Sequence, residues 1–408
     1  MAKNTRTQEI NKGSLTVKAV FYFITLVYGL LCLYLFYRQS LMPVYGDSLY
    51  FESDLPYHIS MVVDDGWYYS LTAFIYLGLY KLAGGGTILI AIFLAVVMTA
   101  TVIATERLLR EVFGEKKIIT CPGALALNLV MPFFVRWAGM YRYVSYQSGN
   151  VWHNSTYICM RLAAVIFMIF YLRYEKLYAG ESYKIKHWLI LAAVLAVTTF
   201  IKPSFLTVFA PALAIKLLWD LIKNKVRLLK VLVKGLIVVP SLGVMLWQNS
   251  VLFGDDTENG FRISFMETFS FHADHPKVTV LLSLAFPLAV GIFILADVLI
   301  KLIKDRDKKA IFKLDGVYVF SILMAIVGFA EAILLIETGS RSRDGNFLWG
   351  YSIALFFLYL TSFVRWTEFL EEKKWVRSAV CGGVFVYQMI CGVIFFSRLV
   401  AGETYFML

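Results

Sequence analysis

Acidic side chains are concentrated near the beginning of the sequence, between two strongly apolar stretches. Five carboxylates fall within residues 47–65: Asp47, Glu52, Asp54, Asp64 and Asp65. A carboxylate at the edge of an apolar environment can serve as a general base. Asp54 lies in the motif SDLPYHI, and His58 follows it by four residues, so one helical face would hold both. We predict Asp54 as the catalytic base, with Asp47 as the other candidate. A solvated acidic loop is the alternative.

A second polar stretch combines arginines with aromatic rings just before another apolar run. Arg136 and Arg142 suit bidentate contacts with phosphate. The tripeptide Trp152-His153-Asn154 lies at the start of that apolar run. We predict that these residues, like His58 in the first stretch, contact a phosphorylated substrate. For most of the neighbouring aromatic rings, an aromatic belt at a membrane surface is the simpler interpretation.

Basic side chains at two later positions complete the candidate site. Lys202 lies in a Lys-Pro turn between two apolar runs, where an ammonium group is well placed for a lipid phosphate, although snorkelling explains many such lysines. Further along, Glu337, Arg341 and Arg343 come within seven residues of one another. We predict that the two arginines bind phosphate or pyrophosphate beside Glu337. Internal ion pairs are the alternative.

The elements that must hold these residues are membrane helices. Of the 408 residues, 59% are hydrophobic and 16% are charged, whereas soluble domains contain about 25% charged residues. A helix that spans a bilayer needs about 20 mostly apolar residues. We therefore predict an all-α, polytopic integral membrane protein. The composition excludes a cytosolic enzyme, a secreted disulfide scaffold and a disordered protein.

Eleven apolar runs predict transmembrane helices. They cover residues 18–37, 86–105, 118–137, 155–172, 187–201, 203–219, 231–248, 278–302, 316–336, 346–363 and 378–397. The apolar segment 67–83 is shorter, and three glycines lie at its end, so we predict an interfacial or re-entrant helix on the outer face. With that assignment most of the 39 Lys and Arg residues fall on one side of the membrane, as the positive-inside rule requires.

The charge distribution also predicts how the single transmembrane domain, residues 1–408, is oriented. We predict a cytoplasmic tail over residues 1–17 and outer loops over residues 38–85, 138–154, 249–277 and 337–346. The net charge of +11 then reflects membrane topology rather than nucleic-acid binding. Without a soluble domain or a retention signal, the plasma membrane of a bacterium is the favoured location.

Several kinds of catalytic motif are missing from the sequence. We find no P-loop, HExxH, GxSxG or Rossmann glycine motif. The five cysteines show no metal-ligand spacing, and we predict no metal site, although a divalent Mg or Mn ion is optional for phosphate chemistry. An enzyme on the outer face has no access to cytosolic nucleotides, so its donor would be delivered by the membrane, for example as a polyprenyl-phosphate sugar.

Taken together, these features resemble the GT-C superfamily of polytopic glycosyltransferases. The resemblance rests on a cytoplasmic N-terminus, an acidic first outer loop, an interfacial helix before the second span and about eleven helices. It implies transfer of a sugar from a polyprenyl-phosphate donor to a surface glycan or lipid-linked acceptor. The family's catalytic aspartate would correspond to Asp54 or Asp47, and its phosphate-binding basic residues to Lys202, Arg341 and Arg343. The adjacent Asp-Glu pair of protein mannosyltransferases is missing from this chain.

Two other functions remain open at this point. A polysaccharide polymerase or ligase would also use outer-face arginines, with a polyprenyl-pyrophosphate glycan as its donor. A transporter or flippase for a lipid-linked solute would need ionisable residues deep in the bilayer. Glu331, which lies inside a predicted span, is the main support for transport.

Overall fold

A computed structural model describes most of the chain. The described residues are 2–44, 50–114, 117–141, 145, 147–179, 184–253, 260–304, 306, 314–339 and 344–405, with the side chains of 2–14, 179 and 253 excepted. Within these ranges the regular secondary structure is almost entirely helical, which confirms the all-α prediction.

Sixteen helices follow one another through the described residues. They are α1 (Ala2–Ser40), α2 (Leu55–Val63), α3 (Leu71–Leu82), α4 (Ile88–Phe113), α5 (Thr120–Leu127), α6 (Ser155–Ala179), α7 (Ile185–Ile201), α8 (Ser204–Ile222), α9 (Leu228–Gly235), α10 (Val239–Phe253), α11 (Glu267–Ser270), α12 (Pro276–Ser283), α13 (Ala285–Ile303), α14 (Gly316–Leu334), α15 (Leu348–Glu371) and α16 (Trp375–Val400). Short 3₁₀ turns cover Arg136–Ala138 and Leu236–Val238. Two antiparallel strands, β1 (Phe261–Ile263) and β2 (Leu335–Glu337), complete the described structure.

Nine helices in the described ranges are long and apolar enough to cross a membrane, so the predicted count of eleven is not confirmed. These nine are α1, α4, α6, α8, α9 continued through α10, α13, α14, α15 and α16. The run predicted at 187–201 is also a helix, α7, but its 17 residues make it shorter than these spans. The architecture is that of a polytopic membrane protein.

The predicted span over residues 118–137 is not a continuous helix. Only α5 is helical, and an extended segment follows it as far as the turn at Arg136. Helix α5 ends at Asn128, whose side-chain amide donates to the Ala124 carbonyl, and Pro132 disfavours further helix. Backbone N–H groups of the extended segment instead donate to carbonyls of α12 and α16. Composition predicted an apolar segment correctly but predicted the wrong backbone conformation.

The short helix α3 covers most of residues 67–83, the segment predicted as an interfacial or re-entrant helix. Its 12 residues are too few to cross a bilayer, in agreement with that prediction. The helix begins at Ser70, whose hydroxyl accepts a hydrogen bond from the Ala73 N–H at 3.2 Å. It is preceded by a second short helix, α2, which begins directly after Asp54, in agreement with the helical spacing of Asp54 and His58.

Two contacts between helix termini define the opposite ends of the bundle. At the first, the hydroxyls of Ser40 and Thr87 lie 2.8 Å apart, joining the end of α1 to the start of α4. We call this the Asp54 end, because the loop that follows α1 carries Asp54. At the second, Lys117 pairs with Glu371 at 2.6 Å, joining the chain after α4 to the end of α15. We call this the Glu371 end.

The centre of the bundle is formed by α6 and α15. In each of these two helices, 78% of the most apolar 18-residue stretch is buried inside the bundle. This is the largest share among the nine candidate spans of the described residues. Close helix packing depends on glycine, since a Cβ atom on Gly328 of α14 would lie 2.8 Å from the Tyr351 Cα of α15. Both α6 and α15 begin at the Asp54 end, so their first residues are held there by a rigid core.

Candidate active site

Asp54 lies immediately before α2 and is anchored there through its backbone. Its carbonyl accepts from the His58 N–H at 2.9 Å, and its N–H donates to the His153 carbonyl at 3.0 Å. An aspartate at this position usually caps the helix with its side chain. Here the carboxylate makes no cap bond to α2, and Oδ2 instead accepts from Asn154 Nδ2 at 2.7 Å. The first loop is thereby joined to the start of α6.

Asn154 fixes the direction from which the Asp54 carboxylate is held. Its Oδ1 accepts from the Tyr157 N–H and from the Thr156 hydroxyl, both at 2.9 Å, and so caps α6. With the amide oxygen bound in this way, the NH₂ group must face Asp54. The sequence-predicted residues Asp54, His153 and Asn154 are therefore brought together by the structure.

Two histidines beside the carboxylate are uncharged at neutral pH. His58 Nδ1 lies 2.9 Å from the Ser155 hydroxyl, and burial lowers the pKa of His58 to about 4. The charge of Asp54 opposes this lowering of the pKa, whereas Lys202 and His153 add to it. Burial also lowers the pKa of His153. Both imidazoles thus present hydrogen-bonding groups rather than positive charge.

We expect part of the protein's stability to be lost as the pH falls below about 6.5. The unfolded His58 takes up a proton near its ordinary pKa of 6.5, whereas the folded one does so only near 4, so acid favours the unfolded chain over this window. The variant His58→Asn removes the titrating group. It should show a smaller fall in melting temperature between about pH 7 and about pH 5. The control is His275→Asn at an exposed histidine, and an equal fall in both variants would contradict the assignment.

Three aromatic side chains connect a cation to the Asp54 carboxylate. Lys202 Nζ lies 5.5 Å from the centre of the Trp349 ring, and that ring lies 5.8 Å from the His153 ring. His153 stacks on Tyr405 with centroids 4.0 Å apart and planes at 7°. The Tyr405 hydroxyl donates to Asp54 Oδ1 at 3.4 Å. We call Trp349, His153 and Tyr405 the aromatic row.

Lys202 is held by the start of the central helix. Its ammonium group donates to the Thr156 hydroxyl at 3.3 Å, in the first turn of α6. The Lys-Pro turn between α7 and α8 therefore places a positive charge beside the start of α6, the helix that Asn154 caps. This placement agrees with the predicted position of Lys202 beside the other site residues.

Trp152 is a core residue, although a substrate contact was predicted for it. Only 1% of its surface is exposed. Its indole N–H donates to the Tyr28 hydroxyl at 3.1 Å, and its ring packs against Phe395 and Phe396. The indole therefore anchors the loop that carries His153, and it cannot face a substrate.

Arg136 and Glu337 belong to other parts of the Asp54 end. Arg136 is exposed on a 3₁₀ turn whose next residue, Trp137, packs edge-on against His275. The Glu337 carboxylate accepts from the Asn346 side-chain amide at 2.9 and 3.0 Å. Glu337 therefore stabilises the loop leading to α15, which carries Trp349.

Four predicted site residues lie outside the described residues: Asp47, Arg142, Arg341 and Arg343. Their predicted roles stay predictions. Among the described residues, no group of three or more His, Cys, Asp or Glu side chains is arranged to hold a metal ion.

Glu331 lies nearer the site than its predicted place in mid-membrane. It belongs to the last turn of α14, and its Oε2 accepts from the Thr207 hydroxyl at 3.0 Å. Its carboxylate packs against Gly350, where a Cβ atom would lie 2.8 Å from the same oxygen. This acid therefore contacts the residue next to Trp349 and lies near the end of α14, not halfway along that helix.

Arg161 is a residue that the sequence-based prediction missed. It is fully buried in α6. Its Nη1 donates to the Gly149 carbonyl and to Asn150 Oδ1, and its guanidinium lies 5.6 Å from the centre of the Phe356 ring. Within the described part of the chain, no carboxylate forms an ion pair with it. A single arginine inside a predicted span was the signal that could have identified it.

The loop that Arg161 binds, residues 149–154, ends at Asn154, which binds the Asp54 carboxylate. Asn150 uses its NH₂ group to bind the carbonyls of Leu127 and Val130, at 2.9 and 2.8 Å. Those carbonyls lie in and beside the break that follows α5. Four residues after Asn150 comes Asn154, which binds the catalytic candidate. Arg161 therefore supports the site through the loop backbone and does not touch the carboxylate.

Comparison with known proteins gave no match, either among protein-family models or among curated proteins.

Proposed function

We propose that the protein is a membrane glycosyltransferase of the GT-C type. It would transfer a sugar from a polyprenyl-phosphate donor to a surface glycan or a lipid-linked acceptor. The observation that carries this proposal is the Asp54 carboxylate, held on one oxygen by Asn154 and joined through the aromatic row to the Lys202 ammonium. A base and a cation at one end of an apolar bundle suit a reaction between a lipid phosphate and a hydroxyl group.

The proposed reaction is a single displacement at the anomeric carbon. Asp54 takes the proton of the acceptor hydroxyl as its oxygen forms a bond to that carbon. The bond from the anomeric carbon to the phosphate oxygen breaks, and the polyprenyl phosphate leaves with the bonding electrons. Lys202 stabilises the negative charge that grows on the departing phosphate.

The surroundings of the base support this role. Oδ2 of Asp54 accepts a short bond from Asn154, at 2.7 Å, whereas the bond to Oδ1 from Tyr405 is long, at 3.4 Å. One oxygen is therefore oriented by the protein and the other can accept a shorter bond from a substrate hydroxyl. The neutral His58 and His153 add hydrogen-bonding capacity without adding charge that would compete with Lys202 for the phosphate.

The reaction can be tested with the purified protein in detergent or in liposomes. Polyprenyl-phosphate sugars and polyprenyl-pyrophosphate oligosaccharides, both radiolabelled, are offered as donors with a mixture of cell-surface glycans. Release of free polyprenyl phosphate together with labelled glycan would support the proposal. Use of the pyrophosphate donors alone would identify a polymerase or ligase instead. Movement of intact lipid-linked solute across liposomes, without transfer, would identify a transporter.

Replacing Lys202 with methionine should weaken binding of the donor phosphate. A hydrogen bond to a charged group contributes about 1.5–3 kcal/mol, so we expect about 10- to 150-fold weaker binding of a short-chain polyprenyl phosphate. Equilibrium binding to the purified protein measures the change. The control is Lys81→Met, an exposed lysine in the last turn of α3. Equal affinities in the two variants would mean that Lys202 only snorkels.

A further inference from the structure

We infer that Tyr405 determines acceptor specificity, with its ring forming one wall of the acceptor pocket. This inference rests on the proposed glycosyl transfer and deepens it. Tyr405 follows the last helix, about 350 residues after Asp54 in the chain, yet it contacts both Asp54 and His153. A segment so distant in sequence has no local reason to lie against these two side chains.

The segment that carries Tyr405, residues 401–405, is fixed to the first loop by its backbone. The Gly402 carbonyl accepts from the Phe51 N–H at 2.9 Å. Gly402 has a φ of +103°, and a Cβ there would lie 3.0 Å from the Phe51 ring, so only glycine suits the position. An ion pair between Arg398 and Glu403 ties the segment to the end of α16.

The order of groups along the aromatic row separates the two substrates. Lys202, the only one of these groups that attracts a phosphate, is beside Trp349 at one end of the row. Asp54, which needs an acceptor hydroxyl, is beside Tyr405 at the other end. His153 lies between Trp349 and Tyr405. A donor phosphate held at Lys202 lies against Trp349, whereas Oδ1 of Asp54 lies against Tyr405, so we assign the acceptor to the Tyr405 side.

The Tyr405 hydroxyl lies beside the carboxylate oxygen that the acceptor hydroxyl would bind. It donates to Asp54 Oδ1, the oxygen that is not held by Asn154. Burial raises the pKa of Tyr405, so the phenol keeps its proton and remains a donor. A substrate hydroxyl that binds Oδ1 lies next to the phenol group, and an aromatic face beside a reacting hydroxyl suits packing against a sugar ring. The ring thus selects which hydroxyl is presented.

Steady-state kinetics with two Tyr405 variants test this assignment. Tyr405→Leu removes the ring and should raise the acceptor KM by about 2- to 12-fold, from the usual contribution of an aromatic contact, while the donor KM stays unchanged. Tyr405→Phe keeps the ring and should change the acceptor KM less. The control is Tyr387→Phe in α16, which removes a hydroxyl that donates to the Phe134 carbonyl. A rise in the donor KM, or no change in either KM, would overturn the inference.

A fluorine label gives a readout that does not depend on turnover. With 3-fluorotyrosine at position 405, the ¹⁹F resonance should shift in His153→Ala and in Asp54→Asn. In the otherwise unmodified protein it should shift on adding alkyl glycosides and not on adding a short-chain polyprenyl phosphate. A response to the polyprenyl phosphate alone, or to neither probe, would refute the acceptor assignment. A wild-type protein that transfers no sugar would instead refute the proposed function, so the two failures are distinguishable.

Discussion

Replacing Asp54 with asparagine should lower the rate of sugar transfer by about 10²- to 10⁴-fold, the usual contribution of a general base. Asparagine has nearly the same shape and can still accept the hydrogen bond that Asn154 donates at 2.7 Å. It cannot take a proton from the acceptor. Transfer falls while the fold and the affinity for polyprenyl phosphate persist, which the radiolabel assay and an equilibrium binding measurement detect together.

The matched control for this variant is Asp64→Asn in the same loop. Asp64 follows α2 and is exposed, so its substitution should leave transfer close to the wild-type rate. The pair of variants separates a catalytic carboxylate from a general effect of acidity in the loop. Full activity of Asp54→Asn would remove Asp54 from the mechanism. Equal losses in the two variants would show that loop charge is what matters.

Replacing Arg161 with alanine should have the second-largest effect, on stability. The change leaves Asn150 Oδ1 without the guanidinium that binds it and empties space beside the Phe356 ring. Each buried acceptor left without a partner costs about 1–3 kcal/mol, and a cavity adds to that cost. We expect the free energy of unfolding to fall by about 2–4 kcal/mol, measured by denaturation in detergent micelles.

Two further substitutions make the Arg161 result interpretable. Arg173→Ala breaks an ion pair with Glu111 on a partly exposed face of the same helix and should cost less than about 1 kcal/mol. Arg161→Met fills much of the space without the hydrogen bonds and should fall between Arg161→Ala and the wild type. If Arg161→Ala proves no more destabilising than Arg173→Ala, the loop does not depend on the buried arginine.

The prediction from sequence succeeded where short-range chemistry decides the outcome. Asp54 and His58 are four residues apart, and the helix that begins at Leu55 does place them at its start. Asn154 was expected at the mouth of an apolar helix, and it caps α6 there. Lys202 was expected at a turn between two apolar helices, and it lies in that turn. Each of these conclusions needs only the local preference of a few residues.

The prediction from sequence was wrong where hydrogen bonds to distant segments replace the backbone hydrogen bonds within a helix. An apolar run such as residues 118–137 looks like a spanning helix, because composition does not distinguish a helix from an extended segment whose backbone is bonded by neighbours. Carbonyls of α12 and α16 supply those bonds here. In the same way, a substrate contact was predicted for Trp152, but its indole is buried in the core and donates to the Tyr28 hydroxyl.

Short stretches of the sequence were enough to predict a helical membrane protein, and they marked Asp54, His58, Asn154 and Lys202 as candidate site residues. Those conclusions follow from apolar content, charge distribution and helical spacing, which are properties of short stretches of chain. No local pattern indicated that Tyr405 and Trp349 lie beside these residues or that Arg161 supports their loop. Such partners lie up to 351 positions apart in the chain, and packing of the whole bundle is what brings them within contact distance.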